Sequence, residues 1–143
     1  MMFVLDTNVI SDLRRPERSN PNVQAWIAGQ DPMALFLSAV TILELEIGAR
    51  RIERRDAKQG AILTSWIERQ VLPLFEGRIL PIDVSVALRC APLHVPDRRN
   101  DRDAYIAATA LVHGMTVVTR NTNDFEGTGV PLLNPWLERP AAP

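Results

Sequence analysis

A chain of 143 residues is the size of one domain, and with 46% of its residues apolar it can bury a real core. Its 16 basic and 17 acidic residues nearly cancel, so net charge points to no broad polyanion-binding surface. A single cysteine, Cys90, excludes an internal disulfide and a cysteine-built metal site, and the two histidines, His94 and His113, are too few for a histidine-built zinc site.

Met2–Leu5 is a wholly apolar run that ends at Asp6. It is too short for a signal peptide or a membrane span, so the expectation is a soluble protein of the reducing cytoplasm, away from membranes. Such a run suits a central parallel strand buried on both faces. Val23–Gly29 predicts a short helix and Leu35–Val40 a second buried strand. From Thr41 to about Ile52 the spacing is helical, with Ile42, Leu45 and Ala49 on one side. The charged stretch Arg50–Lys58 reads as a solvated helical face, and Ile62, Leu63, Trp66 and Gln70 mark a second amphipathic helix to about Val71. Pro73 and Gly77 predict a turn, and Arg78–Ile82 a third strand. Asp83 is placed to cap a helix over Val84–Ala91, which Pro92 stops. After a charged loop, Pro92–Asn100, comes a helix over Asp103–His113 with Gly114 as its stop. Met115–Thr119 predicts a fourth strand, Leu132–Leu133 a short fifth, and Pro140–Pro143 a frayed tail.

Strands alternating with helices imply an α/β fold, a three-layer α/β/α sandwich around a central parallel sheet. No repeat or linker divides the chain. It reads as one domain over 1–137 and a disordered tail over 138–143.

In an open α/β sheet, ligands bind beyond the carboxyl ends of the strands. Asp6 follows the first strand, Glu44 lies one helical turn past the second, Asp103 opens the helix before the fourth, and Asp124 follows the fourth. These acids are therefore placed to converge on one rim. Converged carboxylates repel one another, and a hard divalent cation such as Mg²⁺ relieves the repulsion while keeping waters and room for phosphate. A pair of such ions supports phosphodiester hydrolysis without histidine or cysteine. Each acid also has a purely local reading. Asp6 is placed to start a turn or cap the next helix, Thr41–Glu44 matches a capping box, Asp103 fits an N-cap, and Asp124 fits an ordinary loop.

The sequence resembles the PIN-domain ribonuclease toxins of the VapC and FitB-like kind, the toxins of VapBC toxin–antitoxin systems. The resemblance rests on Leu5–Asn8 (LDTN), Ser38–Gly48 (SAVTILELEIG), Asp103–Ala110 (DAYIAATA) and Val118–Phe125 (VTRNTNDF), in that order along nearly the whole chain. It implies that Asp6, Glu44, Asp103 and Asp124 hold Mg²⁺ or Mn²⁺, with Thr7 and Asn8 orienting the first acid. It also implies that Thr119 and Asn121 support the last acid or the attacking water, and that Ala104, Ala107 and Ala108 let their helix approach the sheet. RNA is the implied substrate, a small VapB-like antitoxin the implied partner, a homodimer the implied assembly, and any DNA contact is indirect, through the antitoxin. Asp101 lies two residues before Asp103, and the expectation is that it pairs with Arg99 or Arg102.

Two other readings compete. A haloacid-dehalogenase-type aspartyl-phosphate hydrolase also carries an Asp after its first strand, but it expects a second acid where this chain has Asn8, and a lysine where Lys58 is the only candidate. A PIN fold that only binds RNA or a partner is expected to have lost ligand acids, and here they are all present.

Overall fold

The computed structural model describes residues 1–137; the tail expected over 138–143 lies outside the described residues. Five strands, β1 (Phe3–Leu5), β2 (Leu35–Ser38), β3 (Ile79–Leu80), β4 (Thr116–Val118) and β5 (Leu132–Leu133), pair in parallel in the order β3-β2-β1-β4-β5. The strands fall where the apolar runs predict them, each trimmed by a residue or more at its ends. The exception is β5, which covers Leu132–Leu133 as expected.

β1 is buried along its whole length because apolar layers cover both faces of the sheet. Phe3 and Leu5 point into one layer with Val9, Val23, Trp26, Leu37 and Ile67, and Val4 points into the other with Val40, Ile106, Ala107 and Val117. This is the two-residue alternation of a strand. Phe3 and Trp26 meet edge to face with ring centroids 5.0 Å apart.

Seven helices clothe the sheet among the described residues: α1 (Thr7–Leu13), α2 (Pro21–Ala28), α3 (Ala39–Arg55), α4 (Ala57–Trp66), α5 (Leu72–Leu74), α6 (Val84–Cys90) and α7 (Asp101–His113). Asp83 caps α6 by accepting from Val86 N–H at 2.9 Å, and Gly114, at φ 66°, closes α7, both as expected. Ala107 and Ala110 pack with Val4 and Val117 of the sheet as expected of α7, whereas Ala104 and Ala108 face Val86 and Cys90 of α6 and not the sheet.

Several expectations are corrected. No hydrophobic period marks α1, which starts directly after β1 at the cap offered by Asp6. The charged stretch at Arg50–Lys58 is no continuous face, because Asp56 ends α3 and caps α4 through Gln59 N–H at 3.1 Å. The chain folds back there, and the antiparallel helices come close enough that a Cβ on Gly60 would lie 2.5 Å from Glu53 Cα. The turn expected between Pro73 and Gly77 falls at 75–77, closed by Gly77 at φ 77°, while Pro73 itself stays helical. The helix widens to π geometry over Ile67–Val71 and continues through Pro73 in α5. Proline lacks the N–H of a regular turn and clashes with the carbonyl four residues back, and a widened turn accommodates both.

β1 to β3 step to one side of the sheet, and the chain then crosses back to place β4 on the other side of β1. The winding reverses between β1 and β4, which is where open α/β sheets form a crevice at their carboxyl edge.

Candidate active site

Asp6 and Thr119 stand on that edge, one past β1 and one past β4, tied by the backbone bond from Asp6 N–H to Val118 O at 2.9 Å. Asp6 is buried, and its carboxylate is fixed from three sides. Thr7 N–H donates to Oδ1 at 2.8 Å, Thr119 Oγ1 donates to Oδ2 at 2.8 Å, and Asn8 Nδ2 reaches Oδ2 at 3.4 Å. Thr119 Oγ1 also accepts from Asn8 Nδ2 at 3.2 Å and from Asn121 N–H at 3.0 Å. Two donors on its oxygen leave its own proton for Asp6. The local reading of Asp6 as a helix cap is therefore correct for α1, and the same carboxylate still faces the other acids.

The capping-box reading of Glu44 is overturned. Strand β2 ends at Ser38, whose Oγ caps α3 by accepting from Val40 N–H at 3.1 Å, so the helix begins ahead of Thr41. Glu44 is then free of its own terminus, and Thr7 Oγ1 donates to its Oε1 at 2.9 Å. Thr41, fully buried, meets the same Thr7 hydroxyl at 3.0 Å. No local spacing signals this contact, since it joins residues 34 apart.

Asp103 is not the cap of α7. That residue is Asn100, whose Oδ1 accepts from Arg102 N–H at 3.0 Å and Asp103 N–H at 3.2 Å. Asp103 sits in the first turn instead. Asp101 pairs with Arg98 at 2.9 Å, not with Arg99 or Arg102, and His94 Nε2 lies 3.8 Å from it. Asp124 is exposed on the 3₁₀ turn Thr122–Phe125 after β4, a turn anchored by the buried Phe125 and preceded by Asn121.

Asp103 and Asp6 feel the acids around them. Burial, then the charges of Asp6, Asp124 and Glu44, push the Asp103 carboxyl up to about 6. Burial, opposed by the Thr119 and Thr7 bonds and reinforced by Glu44 and Asp124, raises that of Asp6 as well. Unrelieved negative charge of this kind, with only oxygen donors, suits a hard divalent cation. Asp6, Glu44, Asp103 and Asp124 are the residues that could hold one. Among the described residues no three such groups stand within direct reach of a single ion, so waters would complete its shell. Lys58, the one lysine, lines a groove with Arg14, Ser65 and Trp66, away from Asp6, which removes the phosphate-binding lysine of an aspartyl-phosphate enzyme.

Residues 3–130 match the PIN-domain family profile. The chain belongs to the PIN-domain family. This PIN domain is of the VapC and FitB toxin kind. It is 40% identical over 140 residues to the VapC ribonuclease Y4jK of Sinorhizobium fredii, with 94% of this chain and 98% of the relative covered. It is 39% identical over 140 residues to Toxin FitB of Neisseria gonorrhoeae, with 94% and 99% covered. The crystal structure of FitAcB from Neisseria gonorrhoeae superposes with a TM-score of 0.84 at 39% identity, covering 94% of this chain and 99% of that one. The structure of FitAB bound to an IR36 DNA fragment gives 0.86 at 38% identity, covering 99% and 100%. The fold and the family are thus those the motifs implied. Among the described residues no helix is long and apolar enough to cross a membrane.

Proposed function

We propose that this PIN domain is a Mg²⁺- or Mn²⁺-dependent endoribonuclease that acts in the cytoplasm as the toxin of a toxin–antitoxin pair. The observation that carries this reading is the electrostatic strain that the neighbouring acids impose on Asp103 and Asp6, with Asp103 holding its proton to about 6. The names of its relatives, a VapC ribonuclease and Toxin FitB, support the substrate class and the toxin role.

A cation held by Asp6, Glu44, Asp103 and Asp124 would activate water near neutral pH and stabilise charge on the leaving oxygen. Asp6 presents a carboxylate whose direction is fixed by Thr119, Thr7 and Asn8. Thr7 holds Glu44 from α3 against the same rim, so two elements far apart in sequence keep one geometry. Asp103 and Asp124 close the other side from α7 and the turn after β4. Asn121 locks the Thr119 hydroxyl through its backbone N–H, and its amide side chain would orient the attacking water. Water adds to phosphorus, one P–O ester bond breaks, and a proton reaches the departing ribose oxygen.

Restraint of such an enzyme falls to a VapB-like antitoxin. An apolar cavity of about 280 Å³, lined in part by Ile10, Leu13, Ile27, Trp66 and Leu74, suits an apolar stretch of that partner. DNA would be met through the antitoxin, and the active assembly would be a homodimer. The reading is tested by incubating antitoxin-free protein with RNA. Cleavage should stop with chelator and return with Mg²⁺ or Mn²⁺; chelator-resistant cleavage, or none at all, refutes it.

A further inference from the structure

Arg102 occupies a place that the sequence did not suggest. It lies on the first turn of α7, between Asp101 and Asp103. Its neighbour Asp101 is taken by Arg98 at 2.9 Å, so Arg102 has no acidic partner there. Its guanidinium instead reaches across the rim to α3, where Nη1 stands 3.8 Å from Glu44 Oε2. Glu44 presents its other oxygen, Oε1, to Thr7. Among the described residues this is the one ion pair made by any of the four acids. The other rim cation, Arg120, is laid over the Trp136 ring at 5.6 Å.

The contact is loose. A separation of 3.8 Å exceeds a hydrogen bond, and the Arg102 side chain is 42% exposed. The guanidinium fork therefore keeps its donors available while Coulomb attraction holds it over the rim. A planar fork that matches two phosphate oxygens, parked beside clustered carboxylates, is the arrangement a phosphodiester anion needs in order to approach them.

We propose that Arg102 binds the non-bridging oxygens of the scissile RNA phosphate, and that Glu44 parks it between substrates. This rests on the ribonuclease reading above and adds a substrate-contacting residue to it. Arg102 offsets the repulsion between the acids and the incoming phosphate, and it faces the oxygens on which negative charge builds during hydrolysis.

The test separates charge contact from structure. Binding of a short single-stranded RNA is measured against salt in an Asp6→Asn background, which does not cleave it, with and without Arg102→Ala or Arg102→Lys. Loss of one phosphate contact should weaken binding alike for unrelated RNA sequences and flatten the log–log salt slope by about 0.7. Arg102→Lys should restore the slope, since it restores the charge. In the otherwise wild-type enzyme, Arg102→Ala should lower the single-turnover rate about a hundredfold, and Arg102→Lys should recover only part of it, lacking the fork. Arg50→Ala serves as the control, because Arg50 is 72% exposed and pairs with Glu46 far along α3. An unchanged salt slope and rate in a folded Arg102→Ala protein overturns the proposal. So does an equal loss in Arg50→Ala. Binding that depends on Arg102, in a wild-type protein that cleaves nothing, would leave the phosphate contact standing and bring down the ribonuclease reading.

Discussion

Replacing Asp103 by Asn should make the metal-free protein more stable at neutral pH, and the gain should vanish in acid. Asp103 is lifted from its ordinary 3.8 to about 6 by burial and by Asp6, Asp124 and Glu44. Below pH 4 the carboxyl is protonated in both folded and unfolded chains, and it costs nothing. As pH rises from 4 to 6 the unfolded chain releases its proton while the folded chain keeps it. The folded state then binds more protons, and stability falls with pH. Above about 6 the folded carboxyl ionises too, and the penalty is complete. A lift of this size corresponds to about 3 kcal/mol at full value. Asp103 is only partly buried, so solvent screening reduces this to roughly 1 kcal/mol. For a domain of this length that is about 3 °C in melting temperature. Thermal melts of wild type and Asp103→Asn in chelator, from pH 4 to pH 8, read the difference directly. The variant should gain between pH 4 and 6 and hold its advantage above. A difference that stays flat with pH, or an advantage for wild type at pH 7.5, refutes the reasoning.

Glu44→Gln should melt within about 1 kcal/mol of wild type, because the helix is capped by Ser38 and an amide still accepts from Thr7, yet RNA cleavage should nearly disappear. Asp101→Asn should cleave RNA at close to the wild-type rate, since Asp101 pairs with Arg98 on the exposed loop, whereas Asp103→Asn should be inactive. Gly60→Ala should lower stability by about 1–3 kcal/mol in denaturant melts, because the new methyl would overlap the Glu53 backbone where α3 and α4 cross.

The central strands were legible because they are buried on both faces and so appear as unbroken apolar runs. The helix starting at Thr7 was not. Only Val9 and Ile10 of its residues are buried, and seven residues give too few turns to show a period. Its start was hidden in Asp6, which serves as cap and site acid together. The four acids were legible through their positions at strand ends and through the family motifs. Their supports were less so. Thr7 and Thr119 lie within the family motifs, although Thr119 supports Asp6 and not the last acid as expected, whereas Thr41 and Arg102 join the rim only when α3 and α7 are packed against the sheet. The capping box at Thr41–Glu44 misled for a related reason. Local spacing admits two helix starts, and the end of β2 at Ser38 selects the earlier one. Asp101 and Asp103 differ in the same way. Both lie in the first turn of α7, and the turn of the helix sends one to Arg98 and the other toward Asp6 and Glu44.

The most direct test of the account is a calorimetric titration of Mn²⁺ into antitoxin-free protein at pH 7.5, for wild type and for Asp6→Asn. Asp6 is the most buried of the acids and the one most tightly fixed, by Thr119, Thr7 and Asn8. The account predicts saturable binding to wild type and loss of that binding in the variant. Wild-type protein that takes up no Mn²⁺, or a variant that binds it as tightly, would contradict the claim that these four carboxylates form a metal-dependent active site.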